Sequence, residues 1–135
     1  RPAAMVYLAD HGEDIYDDSR HRFLHASPTP TYWQIHVPML MWMSEEYRRA
    51  HPDRHSAAVA NASRNISSSR SAFHTLLDMA GIKSYCYRPE ASLCSNAYSE
   101  PERKYLNDYN EAVPLSHSGL RSSDMAALIA NNISL

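Results

Sequence analysis

Five consecutive residues, Asp10-His11-Gly12-Glu13-Asp14, follow directly on the apolar run Ala3-Ala4-Met5-Val6-Tyr7-Leu8-Ala9. A carboxylate oxygen and an imidazole nitrogen are donors that Zn²⁺ accepts at roughly 2.0 to 2.2 Å, and Mn²⁺ accepts them too. Neighbours in an extended strand point to opposite faces. Gly12 lets the backbone turn, so that Asp10 and His11 can face one site. Asp10 and His11 are therefore candidate metal ligands. Glu13 is placed to orient an imidazole or to close the turn.

Two further histidines bear on such a site. His25 lies in Phe23-Leu24-His25-Ala26, an apolar island within a polar loop, and His36 precedes Val37-Pro38-Met39 at the start of a second apolar run. If the two runs lie parallel, His36 falls at the far end of the sheet unless the loop folds over. His21, His51, His55 and His117 stand in polar stretches without evident partners and read as solvated, while His74, beside Phe73, reads as structural. Cys86 and Cys94 are spaced to close a small loop through a disulfide or to remain two thiols. No CxxC pair is present, which argues against a zinc knuckle.

The elements that must position these residues are partly legible. Residues 3 to 9 are nearly continuously apolar, as in a strand covered on both faces in a parallel sheet. Residues 10 to 34 form the loop bearing the candidate metal site, in which Pro28 and Pro30 exclude a regular helix. A second buried strand is expected over 35–43. Ser44 is a candidate cap for a short helix carrying Glu45 and Glu46 in its first turn, stopped by Pro52, with loop or weak helix to Ser68. The clearest helix spans 69–80, with Phe73, Leu76, Leu77 and Ala80 as its apolar face and Gly81 as its stop. Residues 83 to 135 read as irregular, apart from a short helix over 123–130.

Composition bounds the function. The chain has 135 residues, 44% hydrophobic and 21% charged, with a formal net charge of −2. Nothing in that balance points to nucleic acid or an anionic membrane surface as partner. No apolar run reaches the ~18 residues of a bilayer span. Only 3 glycines are present and no P-loop motif, which excludes a phosphate-cradling P-loop. Two strands and one good helix do not enclose a core, so the chain reads as part of a longer domain.

Tyr7-Leu8-Ala9-Asp10-His11-Gly12-Glu13, Phe23-Leu24-His25-Ala26, Ile35-His36-Val37-Pro38-Met39 and Trp42-Met43-Ser44 together resemble, in order, the C-terminal catalytic segment of the phosphoethanolamine transferases. These are sulfatase-like members of the alkaline phosphatase superfamily, with an SDHGE block, an LHG-type histidine and a THVPM block. Ser71-Ala72-Phe73-His74-Thr75-Leu76-Leu77 also resembles their N-[IV]-F-H-[TS]-L-L helix. Ala9 stands for the usual Ser, Ala26 for Gly, and the intervening loop is longer and more acidic at Asp17-Asp18.

The resemblance implies an α/β fold: the C-terminal part of an alkaline-phosphatase-like α/β/α sandwich, its mostly parallel central sheet incomplete in residues 1–135. It implies that Asp10 and His11 ligate a catalytic Zn²⁺, with Mn²⁺ an alternative. His25 would face the transferred phosphoryl group or a second metal, with Glu13 and His36 in support. It further implies a threonine nucleophile upstream of this sequence, a phospholipid donor, and lipid A or another envelope glycan as acceptor. The setting would be the periplasmic side of a bacterial inner membrane, reached through an N-terminal anchor, with the missing N-terminal part of the domain as partner. That oxidising compartment favours a Cys86–Cys94 bridge. A sulfatase-like phosphohydrolase, a phosphoglycerol transferase and a noncatalytic module of the same fold are the alternatives.

Overall fold

The computed structural model describes residues 1–25, 29–106, 109–117 and 119–133. The expectations resting on Ala26 and Pro28 lie outside the described residues. In chain order the elements are β1 (Ala4–Leu8), β2 (Asp14–Ile15), β3 (Phe23–Leu24), α1 (Tyr32–Ile35), β4 (Met39–Met43), α2 (Glu45–Ala50), α3 (Pro52–Asn61), α4 (Ser68–Ala80), β5 (Lys104–Leu106), β6 (Ala112–Pro114) and α5 (Ser122–Ala130). Single 3-10 turns occur at Pro89–Ala91 and Leu115–His117. No helix among the described residues is long and apolar enough to cross a membrane. The chain divides into two units, one of Arg1–Leu8 with Met39–Pro101 and the other of Ala9–Pro38 with Glu102–Leu135.

In the first unit β1 pairs with β4, Leu8 opposite Met39 and Ala4 opposite Met43. The pairing is antiparallel, which corrects the parallel reading of these two runs. A parallel return needs a crossover of a dozen or more residues, usually a helix. Among its described residues, the chain between the strands forms no crossover helix, holding the single-turn α1 and a pair of two-residue strands. The second strand also starts later than expected, at Met39, because Tyr32–Ile35 forms α1. Alternation sorts the ribbon's two faces. Val6, Met41 and Met43 pack into a core with Tyr47, Ala58, Met79 and Cys94. Met5, Tyr7, Leu40 and Trp42, cross-paired on the other face, are each more than half exposed.

Ser44 caps α2 as expected, its Oγ accepting the Tyr47 N–H at 3.1 Å. α2 ends at Ala50, just ahead of Pro52 as expected, and Pro52 itself occupies the first position of α3, where its missing N–H has no intrahelical partner to lose. The stretch read as loop or weak helix is thus a ten-residue helix burying Ala57, Ala58 and Asn61. At the end of α4, Gly81 takes φ +66. Its N–H donates to Asp78 O and that of Ile82 to Leu77 O, closing the helix in a left-handed cap.

The buried face of α4 is not the apolar one. Ser71, Thr75 and Met79 are buried, whereas Phe73 and Leu76 are each 52% exposed. The cause is the segment Ala91–Cys94, all of it buried. Its backbone N–H at Leu93 needs an acceptor, and Thr75 Oγ1 supplies one at 3.0 Å. Asn61 Nδ2 serves the carbonyls of Leu93 and Ser95 at 3.0 and 3.1 Å. Both cysteines are free: Cys86 is exposed, and Cys94 sits in this core. Burial pushes the Cys94 thiol up to about 12.

The second unit carries the candidate site. β2 and β3 form a minimal antiparallel hairpin, Asp14 opposite Leu24. Tyr32, Leu115 and Leu128 are its buried apolar centre, joined by Ile35, Tyr105, Leu120, Ala127 and Ile133. The tail read as irregular supplies the β5–β6 hairpin, and the short helix expected over 123–130 forms as α5.

Candidate metal centre

Beyond β1 the chain turns at Asp10–Gly12, and the turn decides how His11 is presented. His11 Nδ1 lies 3.0 Å from Gly12 O. A carbonyl can only accept, so Nδ1 carries the proton and Nε2 keeps its lone pair. Asp10 Oδ2 stands 3.8 Å from Nε2. Tetrahedral zinc with bonds of about 2.0–2.2 Å holds its donor atoms roughly 3.3–3.6 Å apart, so this pair fits one ion after a small adjustment. The Asp10 carboxyl is held below the usual carboxylate range by the backbone N–H groups of Asp10 and His11, and then by the His11 ring. The lowered Asp10 favours the carboxylate that a cation needs, and in a neutral His11 ring the Gly12 carbonyl leaves Nε2 as the open nitrogen.

Glu13 and His25 stand beside this pair. Glu13 Oε1 accepts from His25 Nδ1 at 2.6 Å, and the His11 and His25 rings stack with centroids 3.7 Å apart. That bond fixes the proton of a neutral His25 on Nδ1 and leaves Nε2 as acceptor. His11, Glu13 and His25 each bring one ligand atom to within 4.8 Å of the others, a grouping that could itself hold an ion. The structure thus brings together Asp10, His11, Glu13 and His25. His36 is not part of that group: its Nδ1 accepts from Tyr32 OH at 2.5 Å, and its ring rests against the Tyr32 ring. Among the histidines read as solvated, His51 has a partner, its Nδ1 accepting from Arg54 at 3.2 Å. His74 accepts the Arg88 N–H at 3.2 Å, in keeping with a structural role.

Several residues that sequence reasoning passed over hold the turn. Gly12 N donates to Gln34 O at 3.0 Å. Asp14, 3% exposed, accepts from Thr31 Oγ1 and Gln34 Nε2, both at 2.6 Å. Arg20, in the loop between β2 and β3, donates to Asp18 and, with two nitrogens at 2.7 and 3.0 Å, to Asp124 on α5. Asp124 also accepts the Tyr32 N–H at 3.1 Å. Burial alone would raise the Asp124 carboxyl; the Arg20 hydrogen bonds and the Tyr32 N–H outweigh it and leave the group lowered. Asp18 is brought down to about 2, chiefly by the Arg20 side chain. The only sequence signal for this clamp was an Asp-Asp-x-Arg stretch, and nothing pointed to Asp124.

The chain as a whole is similar to known proteins. Residues 1–82 match the sulfatase family. The phosphoethanolamine transferase CptA of Salmonella typhimurium is 32% identical over 121 residues, which cover 89% of this chain and 20% of that protein. Phosphoethanolamine transferase EptC of Escherichia coli K12 is 30% identical over the same shares. The crystal structure of the C-terminal periplasmic domain of EptC from Escherichia coli superposes with a TM-score of 0.71 and 30% identity, over 90% of this chain and 33% of that one. The same domain matches equally well as a complex with Zn. The chain spans about a fifth of the length of the curated relatives it matches. With the match running from β1 through the Asp10–His11 turn and on past the end of α4, the chain belongs to the sulfatase family.

Proposed function

We propose that this chain supplies the Asp-His corner of a metal-dependent phosphoethanolamine transferase. The reaction moves phosphoethanolamine from a phospholipid to lipid A or another envelope glycan, through a threonine phosphoenzyme whose nucleophile lies outside these residues. One observation carries the reading: the His11 Nδ1–Gly12 O bond, which leaves Nε2 bare and 3.8 Å from Asp10 Oδ2. Asp10 and His11 would hold Zn²⁺, or Mn²⁺. When bound, the ion lowers the pKa of a coordinated hydroxyl and offsets charge on phosphoryl oxygens. His25, oriented by Glu13, keeps Nε2 free to take or return a proton at the acceptor hydroxyl.

The relatives' activity supports the substrate class, and the solved periplasmic domain supports the compartment. In this reading a membrane anchor and the rest of the domain lie elsewhere in a longer protein. The open ribbon face of Met5, Tyr7, Leu40 and Trp42 is where that remainder packs, and these residues alone have no transferase activity. The test is a chimera in which these residues replace the matching stretch of Salmonella CptA. The expected result is phosphoethanolamine transfer that Asp10→Ala or His11→Ala lowers more than about a hundredfold, beyond the 10–100-fold typical of residues that only support a ligand. A chimera active with both alanines in place would make this stretch a noncatalytic module and end the proposal.

A further inference from the structure

Asp14 is a buried carboxylate with no part in the chemistry just described. We infer that it is a positioning residue: through Gln34 and Thr31 it fixes the Gly12 peptide, and so decides which nitrogen of His11 is open to a cation. The inference rests on the reading of Asp10 and His11 as metal ligands.

The Gly12 peptide is held on both sides. Its N–H donates to Gln34 O, and its carbonyl accepts from His11 Nδ1, each at 3.0 Å. If residues 11–13 rotated, the carbonyl would swing off Nδ1 and the proton could settle on either ring nitrogen. Two residues on, Asp14 closes the same pair of segments a second time. Its two oxygens take Thr31 Oγ1, from the residue preceding α1, and Gln34 Nε2, from α1 itself. Gln34 is thus gripped at both ends, its carbonyl by Gly12 and its amide by Asp14. Two closures two residues apart leave the turn between them little freedom. A carboxylate suits the place because it meets two donors with two acceptors. At 3% exposure it is shielded from bulk water and meets its two donors within the protein.

The experiment reads the His11 tautomer from its ring ¹⁵N shifts in the metal-free 135-residue chain at about pH 8, where an ordinary imidazole is neutral. The unaltered chain is expected to hold the Nδ1–H form. Asp14→Ala and Gln34→Met are expected to give a mixture, and Thr31→Ser, which keeps the hydroxyl, to match the unaltered chain. In the CptA chimera the same two substitutions should weaken zinc binding about 10–100-fold. A folded Asp14→Ala chain with an unchanged tautomer overturns the inference. If that variant does not fold, Gln34→Met, whose side chain keeps its length, decides by the same readout. A responsive tautomer beside a chimera indifferent to Asp10 and His11 would sink the metal reading and leave the positioning intact. An unresponsive tautomer beside a metal-dependent chimera would do the reverse.

Discussion

At Gly12 the turn accepts only a hydrogen on Cα. A Cβ there would lie 1.9 Å from Trp33 O and 2.9 Å from its carbonyl carbon. Sequence reasoning valued this glycine for conformational freedom, yet the positive-φ glycines among the described residues are Gly81 and Gly119. Close approach of two backbones is the actual demand. Gly12→Ala is therefore expected to push the turn off α1 and cost about 1–3 kcal/mol, in the range of overpacked sites. Urea unfolding followed at the Trp33 indole would show it as a lower midpoint. Asp10, His11, Glu13 and His25 were readable because their chemistry belongs to residue type. Asp14, Thr31, Gln34 and Asp124 were not, because each matters only through a partner far along the chain, as Asp124 does through Arg20.

Among the elements, the local signals were the reliable ones. Ser44 before two glutamates announced a helix start, and the hydroxyl does cap α2 while also accepting the Ala3 N–H at 3.1 Å. Because it satisfies two donors on two elements, Ser44→Ala should cost toward the upper part of the usual 0.5–2 kcal/mol range, about 1.5 kcal/mol. Thermal or urea unfolding would measure it. Gly81 likewise stopped α4 where expected, since a left-handed residue is a demand the helix end makes locally. The apolar stripe of α4 misled for the opposite reason. Periodicity says which face is greasy; the buried face was chosen by the needs of Leu93's backbone, eighteen residues beyond Thr75. The parallel reading of β1 and β4 failed in the same way, because strand direction depends on what the long intervening chain folds into, which the two strands do not announce.

For the molecule as a whole, the Arg20 clamp gives the second unit a defined acid response. Asp18 is lowered to about 2 and Asp124 is also lowered, while the guanidinium stays charged throughout. A carboxylate held below its ordinary value stabilises fully above about pH 4 and loses that contribution as the pH falls through its folded value. Amide protection in α1 and α5, measured against intrinsic exchange rates, should therefore fall between about pH 4 and 2. In Arg20→Gln the same amides should exchange faster at neutral pH and show less further change across that window. The clamp also redraws what could be moved between proteins. The family model matches residues 1–82, yet the carboxylate that seats Arg20 and the Tyr32 backbone arrives at Asp124. A graft cut at the end of that match would carry every histidine of the cluster and strand the guanidinium that steadies their loop. The portable piece is discontinuous, and its last indispensable residue lies in a stretch that no motif advertises.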